Sequence, residues 1–171
     1  MQSSNCGMGN ARKIGVALDF SSSSKNALQW AIDNLVDQRD TLCILHVIDN
    51  SSDESRNQIW NESGSPLVPL SEFRQPDILK NYGVKVDMEV LDMLDTVARQ
   101  KEIAVVAKLY WGGDARERLV EAVEALKLDS IVMGSRGHGT VHRILLGSVS
   151  NYVITHASCP VTVVKNPMPN Q

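Results

Sequence analysis

Five short apolar runs, separated by stretches of helical periodicity, leave this chain few ways to fold. Residues 13–19 alternate Ile14, Val16 and Leu18 with Gly15 and Ala17, residues 41–48 are apolar almost throughout, and 103–110, 130–134 and 160–165 complete the set. After the first run, Ser21 to Ser24 can cap a helix whose Ala27, Leu28, Ala31, Ile32 and Leu35 share one face. Pro76 and Gly83 bracket a short helix over 76–82, and the pattern over 87–101 predicts a longer one. Asp114 and Glu117 start a helix carrying Ala115, Leu119, Ala122, Val123 and Leu126, and Val149, Tyr152 and Val153 mark the inward side of the last. Near-continuous apolar strands need cover on both faces, and parallel neighbours need right-handed crossovers. The expected fold is therefore α/β, an open five-stranded parallel sheet with helices on both faces.

Between the fourth run and the last helix, Gly134, Gly137 and Gly147 precede Ser148 in the spacing Gly-x2-Gly-x9-Gly-Ser. Without a Cβ, such positions let a ligand oxygen approach backbone N–H groups, and a helix starting near Ser148 directs its positive end at an anion. The spacing is neither Walker A nor the dinucleotide fingerprint, and it has no P-loop lysine, so a tight turn remains the alternative. Arg136, His138, His142 and Arg143 would offset phosphate charge. Ligands of such sheets bind outside the carboxyl ends of the strands, where Asp19 ends the first run and Gly134 the fourth. If those strands are neighbours, the carboxylate and the glycine loop share one crevice. Asp19 could otherwise cap a turn, and Ser148 could be only an N-cap.

The 171 residues suit one domain over 13–166, with tails at 1–12 and 167–171 and a surface loop at about 50–70 that holds Trp60. A charged fraction of 22% and a net charge of −3 exert no general pull on nucleic acid. No apolar run reaches membrane-spanning length and residues 1–10 hold no signal-like core, so a cytoplasmic or nuclear protein is expected. Cys6, Cys43 and Cys159 have no metal-ligand spacing, and their odd number argues against a disulfide framework. Cys43 reads as a core thiol, and His46, within an apolar strand, as a hydrogen-bonded interior residue.

The run from Val132 to Arg136 and Gly137, Ile144 to Val149, Cys159 to Lys165, Val16 to Ser21 and Leu45 to Ile48 resembles the ATP/AMP-binding branch of the universal stress protein family. The segment from Lys108 to Asp114 is most similar to single-domain plant members. This resemblance implies a Rossmann-like sheet in the order 3-2-1-4-5, often dimeric through the last strand at 160–165. It implies ATP or AMP as ligand, with Mg2+ accompanying ATP. Asp19 would serve the ribose or adenine end, Val47 would line the adenine pocket, and Ala17 is counted as nucleotide-binding. Gly134, Gly137, Gly147 and Ser148 would receive the phosphates, with Met133, Arg136, His138 and Val149 also counted as nucleotide-binding, although the family pattern gives Arg136 and His138 no fixed role. A regulatory or protective stress-response factor is the implied role. The other readings are a slow ATP-hydrolysing enzyme, for which no catalytic constellation or metal site is visible, and a nucleotide-independent chaperone-like module.

Overall fold

A computed structural model describes residues 11–48, 63–85, 87–136 and 146–166. The strands are β1 (Lys13–Ala17), β2 (Thr41–Ile48), β3 (Val68–Pro69), β4 (Ala104–Trp111), β5 (Ser130–Gly134) and β6 (Val161–Val164). The helices are α1 (Ser22–Asn34), α2 (Leu70–Phe73), α3 (Pro76–Tyr82), α4 (Met88–Gln100), α5 (Ala115–Leu126) and α6 (Ser148–His156). The sheet runs β3-β4-β2-β1-β5-β6. The five predicted strands thus stand parallel, with the third, second, first, fourth and fifth in adjacent order.

One strand is additional. Val68 and Pro69, within the segment expected to be a surface loop, pair antiparallel with Ala107 and Val106 on the outer edge of β4. Proline lacks an N–H and suits an edge position, so a Pro-containing segment can extend the sheet here without breaking a ladder. The greater part of the expected loop, Trp60 included, lies outside the described residues.

Strand alternation divides the core into two layers. Ile14, Val16, Leu42, Ile44 and Val132 pack on one face with Leu28 and Leu94 of α1 and α4. Cys43, Leu45, Ile131 and Met133 pack on the other with Leu119 and Val123 of α5 and Val153 of α6. Helix starts follow side-chain chemistry: Ser21 accepts from Ser24 N ahead of α1, Asp87 from Val90 N ahead of α4, and Asp114 from Arg116 N ahead of α5. Helix α6 differs, because its N-cap is Gly147, with no side-chain bond, and Ser148 is already the first helical residue. Ser148 is therefore not the cap that the alternative reading made it.

The first strand is shorter than its apolar run. Pairing ends at Ala17 opposite Leu45, followed by one more bond from Leu18 N to Leu45 O. Phe20 then turns with φ 62°, a left-handed conformation rare for an aromatic residue, so Asp19 belongs to the turn.

Candidate functional site

The carboxyl ends of β1, β2 and β5 open into a cavity of about 460 Å³, a size typical of small-molecule sites. Of the eleven residues singled out by sequence, nine line it: Ala17, Asp19, Val47, Met133, Gly134, Arg136, Gly147, Ser148 and Val149. Gly137 and His138 lie outside the described residues, as do Gly139, His142 and Arg143. Leu18, Ser24, Leu45, Ala115, Leu119 and Ser150 also line it and were not anticipated. Their signal was present only as helix and strand periodicity, which shows that a residue faces inward but not what it faces.

Much of the cavity lining is apolar, contributed by Ala17, Leu45, Val47, Leu119 and Met133. Backbone parity adds a polar edge there. Leu45 O accepts from Leu18 on the β1 side and Ile48 O accepts from Gly112 on the β4 side. Alternation along β2 therefore turns the N–H and C=O of Val47 toward β1, two residues beyond the last β1 pair. No backbone bond reaches them from β1 or its turn among the described residues.

Helix starts contribute the polar part of the lining. Ser24, Ala115 and Ser148, in the first turns of α1, α5 and α6, all border the cavity. Side-chain caps occupy the starts of α1 and α5, whereas α6 has none, and its leading N–H groups have no hydrogen-bond partner among the described residues. The loop before α6 is drawn closed by Gly147 N donating to Ser135 O at 2.7 Å. This bond sets the α6 start beside the end of β5. Arg136 lies in the wall, and its buried Nε has no hydrogen-bond partner among the described residues.

Two residues have structural duties that sequence could not weigh. A Cβ on Gly134 would lie 2.4 Å from Ser23 Oγ and 2.9 Å from the Ser23 backbone, so this glycine lets α1 cross close over β5. Asp19 Oδ1 accepts from Ser21 N at 3.0 Å and from the Ser21 hydroxyl, which shapes the turn while the residue also lines the cavity. His46 is the hydrogen-bonded interior residue expected, with Nδ1 2.7 Å from Leu18 O. Cys43 is buried in the core, which pushes its thiol up to about 11.

No group of three or more His, Cys, Asp or Glu side chains that could hold a metal occurs among the described residues. Asp19 is the one carboxylate among the described cavity residues. Such a donor set suits Mg2+ carried in by phosphates, which commonly needs one or two protein carboxylates.

Comparison with known proteins places these features in context. The sequence model of the universal stress protein family matches residues 10–165. The chain is 32% identical to universal stress protein PHOS32 and 36% identical to PHOS34, both of Arabidopsis thaliana, over 93% of its length in each case. It spans 66% and 64% of those two proteins. Among solved structures, it resembles MJ0577 of Methanocaldococcus jannaschii, with 27% identity and a TM-score of 0.59 over 92% of this chain and 98% of that one. It shares the fold of an Arabidopsis thaliana family member with AMP bound, with 21% identity and a TM-score of 0.55 over 91% and 92% of the two chains. The same holds for a universal stress protein in complex with cAMP, with 20% identity and a TM-score of 0.56 over 92% and 98%.

Proposed function

Because this chain belongs to the universal stress protein family, we propose that its cavity binds an adenine nucleotide, ATP or AMP, and that the bound nucleotide acts as a regulatory effector in a stress response. The observation that carries this reading is the start of α6, without a side-chain cap, bordering a cavity whose lining is otherwise largely apolar. A nucleotide is the common ligand class with one flat apolar end and one anionic end. Its base fits between Ala17, Leu45, Val47 and Met133, and its phosphates meet the α6 N–H groups, Ser148 and Arg136. Val47 offers a peptide donor and acceptor side by side, which matches the N1 acceptor and N6 amino donor of adenine. Asp19, also in the lining, is the candidate partner for a ribose hydroxyl.

Chemistry beyond binding has little support in the lining residues. Hydrolysis needs a base for water, and Asp19 is engaged by Ser21, while His46 is not among the cavity residues. Mg2+, when present with ATP, would neutralise phosphate charge beside Asp19 and the serine hydroxyls. The sheet ends at β6, and we place the contact of a homodimer along that edge. The direct test is mass analysis of small molecules released from gently purified protein, followed by calorimetry with ATP and AMP. Adenine nucleotide released or bound at about one per chain is expected. Failure of both nucleotides to bind at millimolar concentration would remove the proposal.

A further inference from the structure

On the nucleotide reading above, we infer that His46 is a positioning residue that holds the peptide groups of Val47 open for the base by occupying the carbonyl of Leu18. Regular parallel pairing beyond Ala17 and Leu45 would have Val47 N donate to Leu18 O and Phe20 N donate to Val47 O. Neither bond forms. Instead, His46 Nδ1 lies 2.7 Å from Leu18 O. A carbonyl only accepts, so Nδ1 carries the proton and the side chain takes the position that the Val47 amide would otherwise fill.

The geometry is held from several sides. Phe20, at φ 62°, turns the chain away from β2, and its ring meets the imidazole edge-on at 4.8 Å between centroids. Burial keeps the pKa of His46 below its ordinary value although the Leu18 carbonyl and Asp19 pull it upward, and Nδ1–H can donate to Leu18 O whether or not the ring is charged. Alternation places His46 with Ile44 and Ile48 on the α1 face, whereas Val47 faces the cavity from the opposite side. His46 therefore acts on a base through the backbone and not by touching it.

This role predicts a base-specific effect. Hypoxanthine reverses the adenine edge, presenting N1–H where adenine accepts and O6 where adenine donates. An open Val47 should favour ATP over inosine triphosphate by about tenfold or more, the equivalent of one or two hydrogen bonds. In His46→Leu, Val47 N can pair with the vacated Leu18 O. ATP affinity should then fall about tenfold with that of inosine triphosphate little changed, so the preference collapses. His46→Asn keeps a donor near the Nδ1 position and should restore the preference.

Calorimetry of both triphosphates on the wild type and the two variants tests this, with circular dichroism as the check on folding. Amide exchange in the wild type supplies a measurement that needs no variant: Val47 should exchange faster than Leu45 without nucleotide and become protected with ATP. A preference unchanged in folded His46→Leu, equal losses for both triphosphates, or a Val47 amide already protected without ligand would overturn the role of His46 while leaving nucleotide binding intact. A wild type that binds neither triphosphate would overturn both.

Discussion

Gly134 and Ser148 both line the cavity, yet they answer to different forces. A methyl at Gly134 meets the backbone of Ser23, which cannot move without shifting α1, so Gly134→Ala should destabilise the fold by about 1–3 kcal/mol. Ser148 is exposed at the first position of α6, so Ser148→Ala should leave stability nearly unchanged. It should instead weaken ATP binding about tenfold, by loss of a hydrogen bond to charged phosphate. Thermal melts and calorimetry on the pair would check this division. A stable Gly134→Ala protein with lost binding would reverse the assignment. Asp40 poses a purely structural case. Burial acts to raise its pKa, but bonds from the Arg12 side chain and from the backbone of Asp37 and Arg12 overcome this and hold it below the ordinary carboxylate value. A carboxyl with a depressed folded pKa contributes stability above its unfolded pKa and loses it as pH falls through the folded value. Asp40→Asn should therefore cost about 2 kcal/mol at pH 7 and less near pH 3, measured by urea unfolding at both.

At the scale of elements, the edge strand β6 decides how copies could meet. Ile131 N donates to Pro160 O and Ser135 N to Val164 O, so the even-numbered residues of β6 turn their peptide groups toward β5. Val161 and Val163 turn theirs outward, available to a second sheet edge. Their side chains pack partly against the layer beneath α5 and α6, so charges there would damage the monomer as well as any contact. Val163→Pro is the cleaner change, because it removes one outward N–H and leaves the β5 ladder untouched. Light scattering at tens of micromolar should show a wild-type dimer and a folded Val163→Pro monomer. A wild type that stays monomeric would remove the proposed contact. Most element boundaries were legible beforehand, since Ser21, Asp87, Asp114, Pro76 and Gly83 all sit at helix ends as their chemistry dictates. The short β3 was not, because two residues carry no periodicity and their pairing depends on the free edge of β4.

Across the whole molecule, the arrangement favours holding a nucleotide over consuming it. Helix starts and an apolar wall converge on one cavity, while its described lining residues provide no unengaged general base and only the Asp19 carboxylate. ATP turnover should therefore fall far below the ordinary enzyme rate of about 10 per second. A steady-state phosphate-release assay on the purified chain measures it, and turnover near that ordinary rate would favour an enzyme.

Hydrophobic alternation and cap residues determined the fold class, strand ends and glycine spacing pointed to Asp19, Gly134, Gly147 and Ser148, and the family resemblance supplied the strand order and the rest of the nine residues that meet at the cavity. These are local signals, written in side-chain type and period, and they survive without knowledge of neighbours. Tertiary structure alone decided which duties those residues carry. The need for glycine at position 134 arises from Ser23, the empty cap of α6 from the placement of Gly147, and the open peptide of Val47 from a histidine bonded to another strand. Each depends on atoms brought together from distant parts of the chain, and no local pattern records such a distance.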